Sequence, residues 1–187
     1  TKRRDHDLRI RSLVGRRCRV VTSYFVTPEG VRVPAVTTAQ MREIDRVAIE
    51  GVGPDLLQMM ENAGRELASS AIEMLGPRWT EAPVVVLAGP GGNGGGGISA
   101  ATHLPNRGGN VTLVVADPHR LSPAASVQLG IFGLSRGITA QATSIADLSA
   151  DLVIDALIGY GIRDAPRGPV LGLLHWIALR RAPVLSL

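Results

Sequence analysis

The chain is poor in cysteine: Cys18 stands alone among 187 residues, which rules out an internal disulfide framework. One thiol suits a reducing cytoplasm, and that is the compartment expected. Aromatic side chains are scarce too, at 3%, so a core has to rest on Val, Leu, Ile, Ala and Met. No apolar run approaches the ~20 residues of a membrane-spanning helix, so no membrane partner is expected. The N-terminal segment lacks the apolar stretch of a secretory signal. Its two aspartates, and the missing initial methionine, argue against a transit peptide. Disorder is not the default either: 45% of residues are apolar, and the length allows one domain with a real core.

Charge is unevenly spread. The net charge of +4 conceals an arm in which Lys2, Arg3, Arg4, Arg9, Arg11, Arg16, Arg17 and Arg19 face only Asp5 and Asp7. The rest of the chain is slightly acidic. A basic arm can hold nucleic acid or an acidic surface by counterion release. The favoured reading is a solvated tail, with nucleic acid a secondary candidate. Residues 1–33 are therefore expected to form a basic N-terminal arm or packing extension, and residues 34–187 the domain proper.

Within the arm, Val20, Val21, Tyr24, Phe25 and Val26 predict a short strand before a Thr27-Pro28-Glu29-Gly30 turn. Thr37 and Gln40 stand in capping-box spacing ahead of a helix with Met41, Ile44, Val47 and Ala48 on one face. Gly51 and Gly53 stop it, and Pro54 opens a second helix with the stripe Leu56, Met60, Ala63, Leu67, Ala71 and Met74. Strands and helices then alternate. Unbroken apolar runs at Val84-Val85-Val86-Leu87-Ala88, Val111 to Val115, Leu152-Val153-Ile154 and Val184 to Leu187 predict strands buried on both faces. Ile138 to Ala140 is a minor strand. Helices are expected from Ile98 to Leu104, from Ser122-Pro123 through Leu134, and from Gly168-Pro169 to about Ala178. This order defines a mostly parallel sheet with helices on both faces. The last strand should be central, yet the chain ends inside it: either the domain is C-terminally truncated or the sheet is short.

Gly89-Pro90-Gly91-Gly92-Asn93-Gly94-Gly95-Gly96-Gly97 follows a strand and precedes a helix. Such a loop can bring its backbone close to a ligand, and its N–H groups favour a phosphate or pyrophosphate. The alternative is a flexible turn with no ligand. The run also fits G-x-G-x-x-G, with Asp117 near the place of a ribose-binding acid, but Asp117-Pro118 reads equally as a turn. Asp155 is the sharper signal. It ends an apolar strand at the edge where ligands gather in parallel sheets, and the following Gly159-Tyr160-Gly161 bends the chain. A carboxylate there can bind a cation, orient a sugar hydroxyl or move a proton, or it can simply cap the next loop. His103 reads as a helix-end residue satisfying carbonyls, and His119 and His175 lack a partner at metal-ligand spacing. Met41, Met59, Met60 and Met74 read as core filler.

Four segments in register resemble the YjeF N-terminal family: Thr38-Ala39-Gln40-Met41-Arg42-Glu43-Ile44-Asp45, Met60-Glu61-Asn62-Ala63-Gly64-Arg65, the glycine run, and Asp155-Ala156-Leu157-Ile158-Gly159-Tyr160-Gly161-Ile162. The resemblance implies a Rossmann-like three-layer α/β/α sandwich, commonly a homodimer. It implies NAD(P)H-hydrate epimerase activity, interconverting the R and S forms of NADHX and NADPHX, with a bound potassium ion. It makes Asn93 and Asp155 the potassium ligands and Asp155 the acid/base residue. Substrate contacts fall on Gly92, Asn93, Gly94, Gly95 and Gly96, and on Gly159, Tyr160, Gly161, Ile162, Arg163, Asp164 and Ala165. The chain departs from the family at Gly96, where an aspartate is usual, at Gly92, where an asparagine is usual, and in stopping before a D-x-P-S-G segment. Relatives without epimerase activity serve as dimerisation or RNA-associated modules, which is the alternative function.

Overall fold

The computed structural model describes residues 24–187; the basic segment, with Cys18, Val20 and Val21, lies outside them. Two compact units divide at Pro54 and Asp55. In the first, β1 (Tyr24–Val26) and β2 (Arg32–Pro34) form an antiparallel hairpin. Gly30, at φ 82°, closes the turn, and its N–H donates to the Thr27 carbonyl at 2.9 Å. Helix α1 (Thr38–Val47) begins with the expected capping box. The Thr37 Oγ1 accepts the Gln40 N–H at 3.3 Å, and the Gln40 side chain accepts the Thr37 N–H at 2.8 Å. On its outer face Arg46 hydrogen-bonds Glu43 and Glu50, which holds the Glu43 carboxyl below the usual carboxylate range. One π-helical turn, Ala48–Val52, follows, and Gly53 at φ 123° ends it.

The second unit opens with α2 (Leu56–Leu75). Asp55, rather than Pro54, is its cap: its carboxylate accepts the Gln58 N–H at 2.8 Å, and the Gln58 side chain accepts the Asp55 N–H in return. Then come β3 (Pro83–Ala88), α3 (Gly92–Asn106), β4 (Asn110–Val115), α4 (Pro123–Phe132), β5 (Ile138–Ala140), β6 (Leu152–Ala156), α5 (Pro169–Ala178) and β7 (Val184–Ser186). All five strands pair in parallel, in the order β5-β4-β3-β6-β7. The chain winds outward from β3 through β4 and β5, then crosses back to lay β6 on the other side of β3. Among the described residues β7 pairs with β6. Helices cover both faces, so the fold is the doubly wound α/β sandwich. No described helix is long and apolar enough to cross a membrane.

Alternation along the strands sends side chains to two cores. Val84, Val86, Ala88, Leu113 and Ile154 pack against Leu67 and Ala71 of α2, Ile98 and Leu104 of α3, and Phe132 of α4. Val85, Leu87, Val114 and Val153 pack on the other side, against Leu173 and Trp176 of α5. A polar stitch joins α2 to α3. The buried Ser99 hydroxyl donates to one Glu61 oxygen at 2.8 Å, and His103 Nε2 meets the other at 2.6 Å. His103 thus serves an interhelical contact rather than the helix-end carbonyls expected of it.

The main departure from expectation is the start of α3. It begins at Gly92, six residues before Ile98. The glycine run is mostly helix, and Gly94, Gly95, Gly96 and Gly97 are buried in it. A Cβ on Gly97 would run into the Ala156 Cβ of β6, one on Gly94 into the Gly89 carbonyl, and one on Gly95 would come within 2.6 Å of the Met60 Sδ. Each glycine costs a helix about 1 kcal/mol relative to alanine. Close packing outweighs that cost where no side chain fits.

Two substitutions separate these terms. Gly130, also helical, has nothing within 4 Å of its would-be Cβ; Gly130→Ala should stabilise the fold by about 0.5–1 kcal/mol. Gly97→Ala gains the same propensity but forces a rigid methyl against β6, and overpacking of that kind costs about 1–3 kcal/mol or more. Urea unfolding should show opposite shifts in midpoint; a stabilised Gly97→Ala would contradict this packing.

Candidate functional site

The strand order reverses between β3 and β6, and in an open parallel sheet this is where a crevice forms at the carboxyl ends. The two chains leaving these strands run against each other. The Gly89 N–H donates to the Ala156 carbonyl at 3.0 Å, and a Cβ on Gly89 would collide with the Leu157 carbonyl. Beyond this contact the chains part around a cleft of about 460 Å³. Pro90, Gly91, Gly92 and Asn93 form one wall; Leu157, Ile158, Gly159, Gly161 and Ile162 form another. Asp164, Ala165, Pro166, Arg167, Val170 and Arg120 complete it.

Asn93 holds the two walls together. Its Nδ2 donates to the Ile158 carbonyl at 3.0 Å and to the Leu187 carbonyl at 2.9 Å. Both amide hydrogens are spent, which leaves Oδ1 as the atom open to a ligand. Asp155 grips the same turn from its other end: its Oδ1 accepts the Leu157 N–H at 3.0 Å. Its side chain shares a sheet face with Val153 and Leu157, the face covered by α5. Asp155 does not line the cleft; it caps the turn that does, and its second carboxylate oxygen is left over.

The electrostatics favour an anion. Helix α3 has no side-chain cap at Gly91, so the first-turn N–H groups lack intrahelical acceptors and present the positive end of the helix dipole. Arg120 adds a full charge; among the described residues it makes no ion pair. Arg167 is engaged by Asp164 at 3.2 Å. Among the described residues no three His, Cys, Asp or Glu side chains are grouped to hold a metal.

Of the residues singled out in the sequence, the cleft collects Gly92, Asn93, Gly159, Gly161, Ile162, Asp164 and Ala165. Gly94, Gly95 and Gly96 are instead buried in α3, with Leu187 over Gly96; Tyr160 and Arg163 are outside the lining. Asp117 accepts the His119 N–H at 3.2 Å, the contact of a turn residue. Arg120 and Arg167 were not anticipated. Arg120 stands five residues past the end of a buried strand, on the ligand-bearing edge, and that position was a usable signal.

Fold and cleft together define an open, doubly wound α/β protein with an anion-favouring site at its switch point. The chain belongs to the family described as YjeF-related protein N-terminus, whose model matches residues 56–187. It is 42% identical over 163 residues to a protein of Dehalogenimonas lykanthroporepellens named NAD(P)H-hydrate epimerase, covering 87% of this chain and 66% of the relative. A Rhodopirellula baltica protein of the same name is 36% identical, covering 74% and 57%. A Hyperthermus butylicus protein named bifunctional NAD(P)H-hydrate repair enzyme Nnr is 42% identical over 142 residues, with 72% of this chain matching 26% of that one. The chain thus spans no more than about two thirds of these relatives. The crystal structure of yeast ynu0 (YNL200c) superimposes with a TM-score of 0.72 at 22% identity, over 82% of this chain and 69% of the yeast one; it shares the fold.

Asn93 supplies a direct test of the site's construction. Asn93→Ala removes two hydrogen bonds and leaves two carbonyls without their donor, at a cost of about 1–3 kcal/mol. Asn93→Asp keeps the shape but turns an acceptor toward those carbonyls, so it should destabilise more than alanine does. Thermal unfolding of both variants gives the order, and hydrogen exchange at Ile162, whose N–H bonds the Gly159 carbonyl at 3.3 Å, should quicken in both. The reverse order of stability would mean that Asn93 does not clamp the walls.

Proposed function

We propose that the chain is an NAD(P)H-hydrate epimerase domain acting in repair of hydrated nicotinamide cofactors. One observation carries the reading: an uncapped helix N-terminus and Asn93 Oδ1 face the same cleft as Arg120, in a chain whose relatives bear that enzyme's name. The pyrophosphate of NADHX or NADPHX takes the first-turn amides of α3 and the Arg120 guanidinium. The hydrated ring then lies toward the turn of residues 157–162.

Epimerisation inverts the hydroxyl-bearing carbon of that ring and needs a proton to be moved. We assign it to Asp155, which stands at the base of the turn that lines the cleft rather than in the wall itself. Its Oδ1 is held by the Leu157 N–H, which fixes the carboxylate and leaves the other oxygen to act. Asn93 Oδ1 and that free carboxylate oxygen are hard donors of the type a potassium ion takes, and both belong to residues that grip the Leu157-Ile158 turn. A potassium ion held there would supply positive charge near the hydroxyl; the residues fit it in donor chemistry.

Gly96 bears on the alternative. Where the family resemblance places an aspartate, this helix has only backbone beneath Leu187. A missing charge-assisted hydrogen bond costs about 1.5–3 kcal/mol, roughly ten- to a hundredfold in rate. Turnover should be slow but measurable.

Chromatographic separation of the two NADPHX epimers over time tests the proposal. The parent should speed their interconversion. Asp155→Asn, which keeps an acceptor for the Leu157 N–H, should abolish it without lowering the thermal midpoint. A folded parent that leaves the spontaneous rate unchanged would shift the reading to a non-catalytic module.

A further inference from the structure

A second cavity, of about 610 Å³, opens beside the cleft. It lies over the carboxyl ends of β4 and β5, between the end of α4 and the chain leaving β5. Its chemistry is the opposite of the cleft's. Leu129, Phe132, Ala140 and Pro118 give it apolar walls, Thr139 and Gln141 stand among the lining, and no charged side chain takes part. Neutral, largely apolar and with a few polar side chains, it is unsuited to a phosphate and suited to a heterocyclic base.

The two cavities share their partition. Pro118 lines the second and Arg120 the first, and both sit on the single turn Pro118–Arg120. At the ~2 Å per residue of such a turn, about 4 Å of backbone separates one wall from the other. On the far side Pro169 lines the second cavity and Val170 the cleft, adjacent residues at the start of α5. The start of α4 is tied to the cleft wall as well: the Ser122 N–H donates to the Pro90 carbonyl at 2.8 Å. One ligand with a charged middle and a neutral aromatic end can therefore occupy both, its phosphates beside Arg120 and its base beyond Pro118.

We infer that this cavity is the seat of the adenine end of the dinucleotide, reached over the Pro118–Arg120 turn. The inference rests on the dinucleotide reading of the cleft. It assigns the nicotinamide half to the cleft and the adenosine half to the cavity, so each half can be measured alone.

The test is calorimetry on the full chain with AMP, nicotinamide mononucleotide and ADP-ribose as probes. Thr139 is exposed at the cavity wall, so Thr139→Trp fills the space without entering the core. That variant should weaken AMP and ADP-ribose at least tenfold and leave nicotinamide mononucleotide within twofold. In the parent, AMP ring protons should give NMR cross-relaxation to methyls of Leu129 and Ala140, a readout that needs no variant. AMP affinity unchanged by Thr139→Trp, or cross-relaxation to Ile158 and Ile162 instead, overturns the inference. So does a parent that binds nicotinamide mononucleotide but not AMP, which leaves the cleft reading standing. A parent that binds neither half overturns both.

Discussion

Helix α3 approaches β3 and β6 along a flank that carries no Cβ atoms, and much of the second unit follows from that approach. A side chain at Gly97 would strike β6, one at Gly94 the chain leaving β3, and one at Gly95 would press on Met60 of α2. With hydrogen in those places the helix packs close, and its first turn lies at the point where the strand order reverses. There its free N–H groups open onto the cleft, and Asn93 reaches across to the chains that follow β6 and β7. The energetic balance is narrow. Several glycines each weaken the helix by about 1 kcal/mol, and burial of Ile98, Ala100, Ala101 and Leu104 against the sheet offsets the loss.

That arrangement explains what was legible in the sequence. The strands were readable because a doubly covered parallel strand must be apolar throughout, as Val84 to Ala88 and Leu152 to Ile154 are. Capping residues marked α1 and α4 well: Thr37 and Ser122 sit where their side chains accept the expected N–H groups. The glycine run was misread in form because glycine is the poorest helix former after proline, and local propensity carries no record of a neighbouring strand. The burial expected of Val184 to Leu187 is not found among the described residues, where Val184, Ser186 and Leu187 are exposed and β7 pairs with β6; an apolar run does not record what covers it.

The site was legible in part, and for a physical reason. Asn93 and the turn around Gly159 carry polar or glycine residues at a sheet edge, which is a local signal. Gly94, Gly95 and Gly96 look identical to Gly92 in sequence, yet only Gly92 faces the cleft, because the Gly89 carbonyl, Met60 and Leu187 pack over the other three. Arg120 comes from a different crossover, and only the topology brings it beside α3. Asp155 caps the turn with one carboxylate oxygen, and a cap is compatible with chemistry because the carboxylate has a second oxygen.

The central claim is that the start of α3 is the anion seat of a dinucleotide site. Amide chemical shifts measure it directly: titration of the isotope-labelled protein with ADP-ribose should move the N–H resonances of Gly92, Asn93 and Gly94, saturably and together with the Arg120 side chain. Saturable binding that leaves those amides in place and moves others would contradict the account.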